Sequence, residues 1–128
     1  MKLLMVSVGE GRYAVPADIV TQILDPALEG DFRVERSEAV YRGVRLPLLD
    51  LHAAAGERRG VATVYLVIEA ARNRAIVPVD GADAIRDVPS TAIAPLPSYI
   101  FAGPARVFRG VFSDGGEPRL LLDQDGLL

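Results

Sequence analysis

Cysteine and tryptophan are absent from the 128 residues, histidine occurs once as His52, and Lys2 is the only lysine. Without cysteine there is no disulfide scaffold, no cysteine-ligated zinc and no thiol catalysis. No apolar run approaches the roughly 18 residues that span a bilayer. The apolar start, Met1 to Val8, meets Glu10-Gly11-Arg12 too soon for a secretory signal, so a cytoplasmic chain without membrane insertion is expected. A net charge of −3 is too acidic for a dedicated nucleic-acid binder. What is present is apolar: 50% of the residues are hydrophobic and 24% charged, which excludes a disordered chain and suffices for a core.

The apolar pattern has mostly the period of strands. Val6 to Val8, the Gly9-Glu10-Gly11 turn and Arg12 to Val15 read as a hairpin closed by Pro16. Ile19, Val20 and Ile23 have helical spacing, so Ala17 to Ile23 is expected to form a short helical turn. Leu24 to Glu38, with Pro26, Gly30 and several carboxylates, reads as a loop. Val44 to Leu49 reads as a strand whose Pro47 favours an edge. Val61 to Glu69 and Arg74 to Val79 are expected to pair across a turn at Ala70 to Asn73. Further strands follow at Ala82 to Val88, Arg106 to Phe112 and Arg119 to Leu122, with a hairpin turn at Asp114-Gly115-Gly116. Helical turns are expected at Leu51 to Ala55 and after Asp123. The class is all-β, built as small barrels with only short helical turns.

Catalytic chemistry is sparse. His52 lacks the His or Glu spacing of a metal site. Asp50, His52 and Ser113 could be imagined as a hydrolase set, but no Gly-x-Ser-x-Gly elbow supports it. The carboxylate pairs Asp80/Asp83 and Asp123/Asp125 fall at turns, where Asp bonds its own backbone. Gly9-Glu10-Gly11 lacks the third glycine of a phosphate cradle. The expectation is no enzyme, no catalytic residue, no metal and no cofactor. A compact β domain of this kind binds; a barrel module for a small ligand or nucleic acid is the general alternative.

Four segments in order narrow the reading. They are Gly9-Glu10-Gly11-Arg12-Tyr13-Ala14-Val15-Pro16 with Val20-Thr21-Gln22-Ile23; Arg42-Gly43-Val44-Arg45-Leu46-Pro47-Leu48-Leu49-Asp50-Leu51; Val79-Asp80 with Ala84-Ile85 and Pro95-Leu96-Pro97; and Arg109-Gly110-Val111 with Asp114-Gly115 and the leucine-rich end. Together they resemble the CheW-like family, the coupling domains of bacterial chemosensory systems. The second segment is similar to the family's Arg-Gly-x-x-x-Pro-x-x-Asp-Leu and is the most specific. The resemblance implies one domain over 1–128 made of two interlocked five-stranded SH3-like barrels. It implies a non-enzymatic adaptor that joins the cytoplasmic hairpin tip of a methyl-accepting chemoreceptor to the regulatory domain of a CheA-type histidine kinase, or to another CheW-like protein, at receptor arrays.

By matching, Val20, Gln22 and Ile23 fall on the receptor-facing groove between the barrels, with Ala84 and Ile85 opposite. Taken alone, Val20 and Ile23 read as core. Arg42, beside Gly43, matches the family's functional arginine; it serves as a latch between the barrels or as a partner contact. Asp50 and Asp80 read as structural. The chain also departs from the pattern. Ser37 to Gly43 lacks the usual Gly-x-x-Asn, the loop before it is short, and Ile76 stands where glycine is usual. Trimmed loops remove interfaces before they remove a fold. Kinase binding is therefore expected to be weakened, as in an accessory coupler similar to the second CheW-like proteins of Frz-type pathways.

Overall fold

A computed structural model describes residues 1–36, 38–49, 51, 64–70, 72–96 and 108–123. The elements in order are β1 (Lys2–Val8), β2 (Gly11–Pro16), a 3-10 turn (Ala17–Ile19), β3 (Val20–Leu24), β4 (Phe32–Glu35), β5 (Glu38–Tyr41), β6 (Val44–Pro47), β7 (Val64–Ala70), β8 (Asn73–Val79), β9 (Gly81–Asp87), a 3-10 turn (Ser90–Ala92), β10 (Ala94–Pro95), β11 (Phe108–Asp114) and β12 (Glu117–Leu122). The chain is all-β, with only short helical turns among the described residues.

The strands make three sheets. One runs β10-β11-β12-β2-β1-β9, one β3-β7-β8 and one β4-β5-β6. The six-stranded sheet curls into the first barrel, with the two-residue β10 added to five longer strands. The two three-stranded sheets form the second barrel and meet where Leu48 bridges Ile76 and the Leu49 N–H donates to the Ile76 carbonyl at 2.8 Å. Because β3 to β8 lie between β2 and β9 in sequence, the second barrel is inserted into the first. This is the pair of SH3-like barrels that the resemblance implies.

Strand alternation sorts the core into three layers. Leu3, Met5, Ala14, Phe112 and Leu121 fill the first barrel. Leu24, Phe32, Tyr41, Leu46, Val67 and Ile76 fill the second. Leu4, Val6, Val15, Leu66, Ile68, Val77 and Val79 pack between the two. β1 is thus buried on both faces, which explains its unbroken Leu3-Leu4-Met5-Val6 run. Ile76, the departure from glycine, is fully buried and fills the second barrel.

Two expectations are corrected. Helical geometry covers only Ala17–Ile19, and Val20 onward is strand, because β3 gains a full ladder with β7 that one turn of helix would forgo. The stretch expected to be a loop, Leu24 to Glu38, contains β4 and the start of β5. Its alternation is visible afterwards: Phe32 and Val34 share one face, Arg33 and Glu35 the other. The prolines are placed as strands require. Pro47 ends the edge strand β6, and Pro78 lies on β8, the edge of its sheet. The helical turns expected beyond Leu51 and after Asp123 lie outside the described residues, as do Asp50, His52 and Pro97.

A buried arginine locks the first barrel. Arg119 is 3% exposed. Its Nη1 donates to the carbonyls of Val6 (3.1 Å) and Tyr13 (2.9 Å), and its Nε to Asp114 Oδ2 (3.1 Å). The other Asp114 oxygen accepts from Arg86 Nη1 at 2.6 Å. Arg86 is on β9 and Asp114 on β11, near opposite ends of the six-stranded sheet, so this carboxylate draws the barrel closed.

Candidate partner-binding groove

β3 carries the groove, and a bulge sets its geometry. Val20 pairs with Ile68, but Gln22 pairs with the next residue back, Val67, so Thr21 is the extra residue. The Thr21 hydroxyl donates to the Val67 carbonyl at 3.2 Å. In a regular strand, residues three apart face opposite sides. The bulge removes that constraint. Val20 aligns with Ile68 and Ile23 with Leu66, so both face the first barrel. The helical spacing of Val20 and Ile23 in the sequence is realised by a bulged strand rather than a helix.

Across from β3 stands β9. Ile85 pairs with Leu4, whose side chain belongs to the layer between the barrels, and therefore shares its face. Leu4, Ala17, Val20, Thr21, Gln22, Ile23 and Ile85 line an open depression of about 390 Å³. Ile23 is 54% exposed and Ile85 63%, an exposed pair of large apolar side chains. Charged groups are absent from this lining. Ala84 pairs with Met5 and so lies on the other face of β9; it is exposed but does not line this groove.

Arg42 and Gly43 sit apart from it, at the turn between β5 and β6. Their φ values of +50° and +78° are those of a two-residue I′ hairpin turn. The Arg42 N–H donates to the Asp31 carbonyl at 3.1 Å, its Nε lies 3.5 Å from Asp31 Oδ2, and its Cζ stands 4.9 Å from the Tyr41 ring centroid. All these partners belong to the second barrel, and the side chain is 64% exposed. Among the described residues Arg42 contacts no residue of the first barrel. The buried latch is Arg119, inside the first barrel. Arg42 instead lines, with Thr21, Gln22, Tyr41, Val44, Leu46, Val67 and Arg74, a second depression on the far side of β3. Asp80 is structural, as expected. Its carboxylate accepts the Gly9 N–H, and its own N–H donates to the Ser7 carbonyl at 2.8 Å, which ties the start of β9 to the β1–β2 turn.

Two contributors went unread in the sequence, Thr21 and Arg119. Nothing in Val-Thr-Gln-Ile marks which residue will be extruded as a bulge. Arg119 does share parity with buried Leu121, but the run Leu120-Leu121-Leu122 hides which face is inside. Among the described residues no group of three metal-ligating side chains occurs, and no helix is long and apolar enough to cross a membrane.

An all-β pair of nested barrels, with an exposed apolar groove at their junction, has the form of a protein-interaction domain. Comparison with protein families matches the CheW-like domain over residues 2–128, and the chain belongs to that family. Among solved structures it is similar to the scaffolding protein TtCheW from Thermoanaerobacter tengcongensis, with a TM-score of 0.72 at 17% identity, covering 95% of this chain and 83% of that one. No curated protein matches it in sequence. Family membership supports a scaffold or adaptor in chemosensory signalling, and scaffolds of this family are not enzymes.

Proposed function

We propose that this protein is a cytoplasmic chemosensory coupler at receptor arrays. The groove between β3 and β9 takes one helix of a methyl-accepting chemoreceptor's cytoplasmic hairpin tip. The observation that carries this reading is the alignment of Val20, Ile23 and Ile85 on one open apolar surface. A helix laid on such a surface docks through apolar anchors at helical spacing. The missing basic groups argue against nucleic acid as the occupant. In the same reading, the hold on a CheA-type kinase regulatory domain is weakened. The segment before Arg42-Gly43 is a tight β4–β5 hairpin, which leaves little loop to carry a contact.

Calorimetric titration with a receptor hairpin and a kinase regulatory domain from the same genome tests both parts. Receptor binding with weak or absent kinase binding is expected. Ile23→Asp and Ile85→Asp should each weaken receptor binding at least tenfold, a charge being placed at an apolar contact. Their folding stability should stay within about 0.5 kcal/mol, both side chains being exposed. Equal, tight binding of both partners overturns the kinase clause, and silence toward the receptor overturns the groove assignment.

A further inference from the structure

On the side of β3 away from the groove, the two sheets of the second barrel part. The opening encloses about 450 Å³, within the usual range of small-molecule sites, which favour the mouths of β-barrels. Its floor is core: Tyr41, Leu46 and Val67 are all buried members of the second barrel's interior. One wall is Val44, 47% exposed. On the rim stand two arginines from different sheets, Arg42 at the β5–β6 turn and Arg74 on β8, and Gln22 of β3 completes the lining.

Each arginine already has an acidic neighbour. Arg42 Nε lies 3.5 Å from Asp31, and Arg74 Nε lies 3.5 Å from Glu69. Both contacts are long, made through Nε and solvent-exposed, so they hold the side chains only weakly. A guanidinium presents five N–H donors in a fork suited to a carboxylate. With Nε turned to the neighbouring acid, the two terminal nitrogens of each side chain have no other protein acceptor among the described residues. An apolar floor beneath two such cations is complementary to a molecule with an apolar body and an anionic head.

We propose that the mouth of the second barrel is a binding site for a small aliphatic carboxylate. Its chain rests on Tyr41, Val44, Leu46 and Val67, and its carboxylate lies between Arg42 and Arg74. The site opens on the other side of β3 from the groove, and the two have Thr21 and Gln22 in common. A ligand in the mouth therefore touches the strand that presents Val20 and Ile23 to a partner.

The test is a nuclear magnetic resonance titration of the full, isotope-labelled chain with sodium hexanoate. Hexan-1-ol serves as the uncharged control, and Arg42→Ala, Arg74→Ala and Arg33→Ala as variants. Saturable shifts are expected at Thr21, Gln22, Val44 and Val67. Hexanol, and hexanoate with either Arg42→Ala or Arg74→Ala, should bind roughly tenfold more weakly, the loss of a charge-assisted pair. Arg33→Ala, on the outer face of its sheet, should bind like the parent. The backbone spectra of the variants show directly that they are folded. Four results overturn the site: no saturable shift in the millimolar range; hexanol binding as well as hexanoate; arginine variants that bind unchanged; or shifts centred on Leu4, Ala17 and Ile85. A fifth is displacement of hexanoate by a receptor hairpin that shifts Val44 and Val67, which the groove does not contain; that would make the mouth part of a protein footprint.

Discussion

Replacing Arg119 by methionine leaves the carbonyls of Val6 and Tyr13 without their donor inside the first barrel and Asp114 with Arg86 alone. Removing one partner of a buried, hydrogen-bonded charge pair costs about 3–5 kcal/mol, and urea unfolding of Arg119→Met should show a loss of that size. Arg119→Lys should recover little of it, since one ammonium cannot reproduce the fork. Arg42 behaves oppositely. It holds φ at +50°, a region that costs a side chain with a Cβ about 1–2 kcal/mol and that asparagine tolerates best. Arg42→Asn should therefore raise stability, by up to about 1–2 kcal/mol, while losing the side-chain contacts to Tyr41 and Asp31. In the sequence these two arginines look alike among thirteen. Arg42 stands out only through the family motif, and Arg119 only through strand parity, which the three leucines after it obscure.

Among the elements, the β4-β5-β6 sheet is amphipathic in a way the sequence conceals. Its outer face sets Arg33, Val40 and Arg45 side by side. Glu35 accepts from Arg33 Nε at 2.9 Å and from Arg45 Nη1 at 2.8 Å. Val40 is buried although it lies on the outer face, consistent with cover from the aliphatic stems beside it. Hydrogen bonds from Arg45 and then Arg33 hold the Glu35 carboxyl below its ordinary value. A depressed carboxylate adds stability above its unfolded pKa and loses it as pH falls through the folded one. The stability difference between the parent and Glu35→Gln should thus be constant from neutral pH down to about 5 and close below about pH 4. Added salt should shrink it, the group being exposed. From the sequence this stretch reads as a loop, because Pro26, Gly30 and the acids dominate its composition. The alternation that makes it strand covers only four residues per element, too few for a periodicity to declare itself. The hairpins β1–β2, β7–β8 and β11–β12 were legible because each joins longer apolar strands through a short turn. In the groove, the sequence indicated Val20, Ile23 and Ile85, while the bulge that brings the first two onto one face depends on the register with β7.

At the level of the whole molecule, the layer between the barrels decides how the protein unfolds. Leu66, Ile68, Val77 and Val79 of the second barrel are buried in one cluster with Leu4, Val6 and Val15 of the first. Neither barrel can open without exposing the other's apolar face, so a single cooperative domain is expected. Met5→Ala, inside the first barrel, and Ile76→Ala, inside the second, should each cost about 2–5 kcal/mol. Both should move one common unfolding transition, seen alike by circular dichroism and tyrosine fluorescence. Two separable transitions would show that the barrels are independent.

The same nesting has a consequence for the chain as it leaves the ribosome. β1 finds β2 at once, but β9, its other neighbour, begins about seventy residues later. One of its faces is covered by β7 and β8, made just before β9, and the other needs β11 and β12, made later still. At roughly 5–20 residues per second, the Leu3-Leu4-Met5-Val6 run waits for several seconds or more before either face is covered, and Leu3 and Met5 wait longer. The inserted barrel is complete before the outer one can close. Synthesis therefore runs inward first, and a chain stalled before β9 should be captured by chaperones through its own first strand.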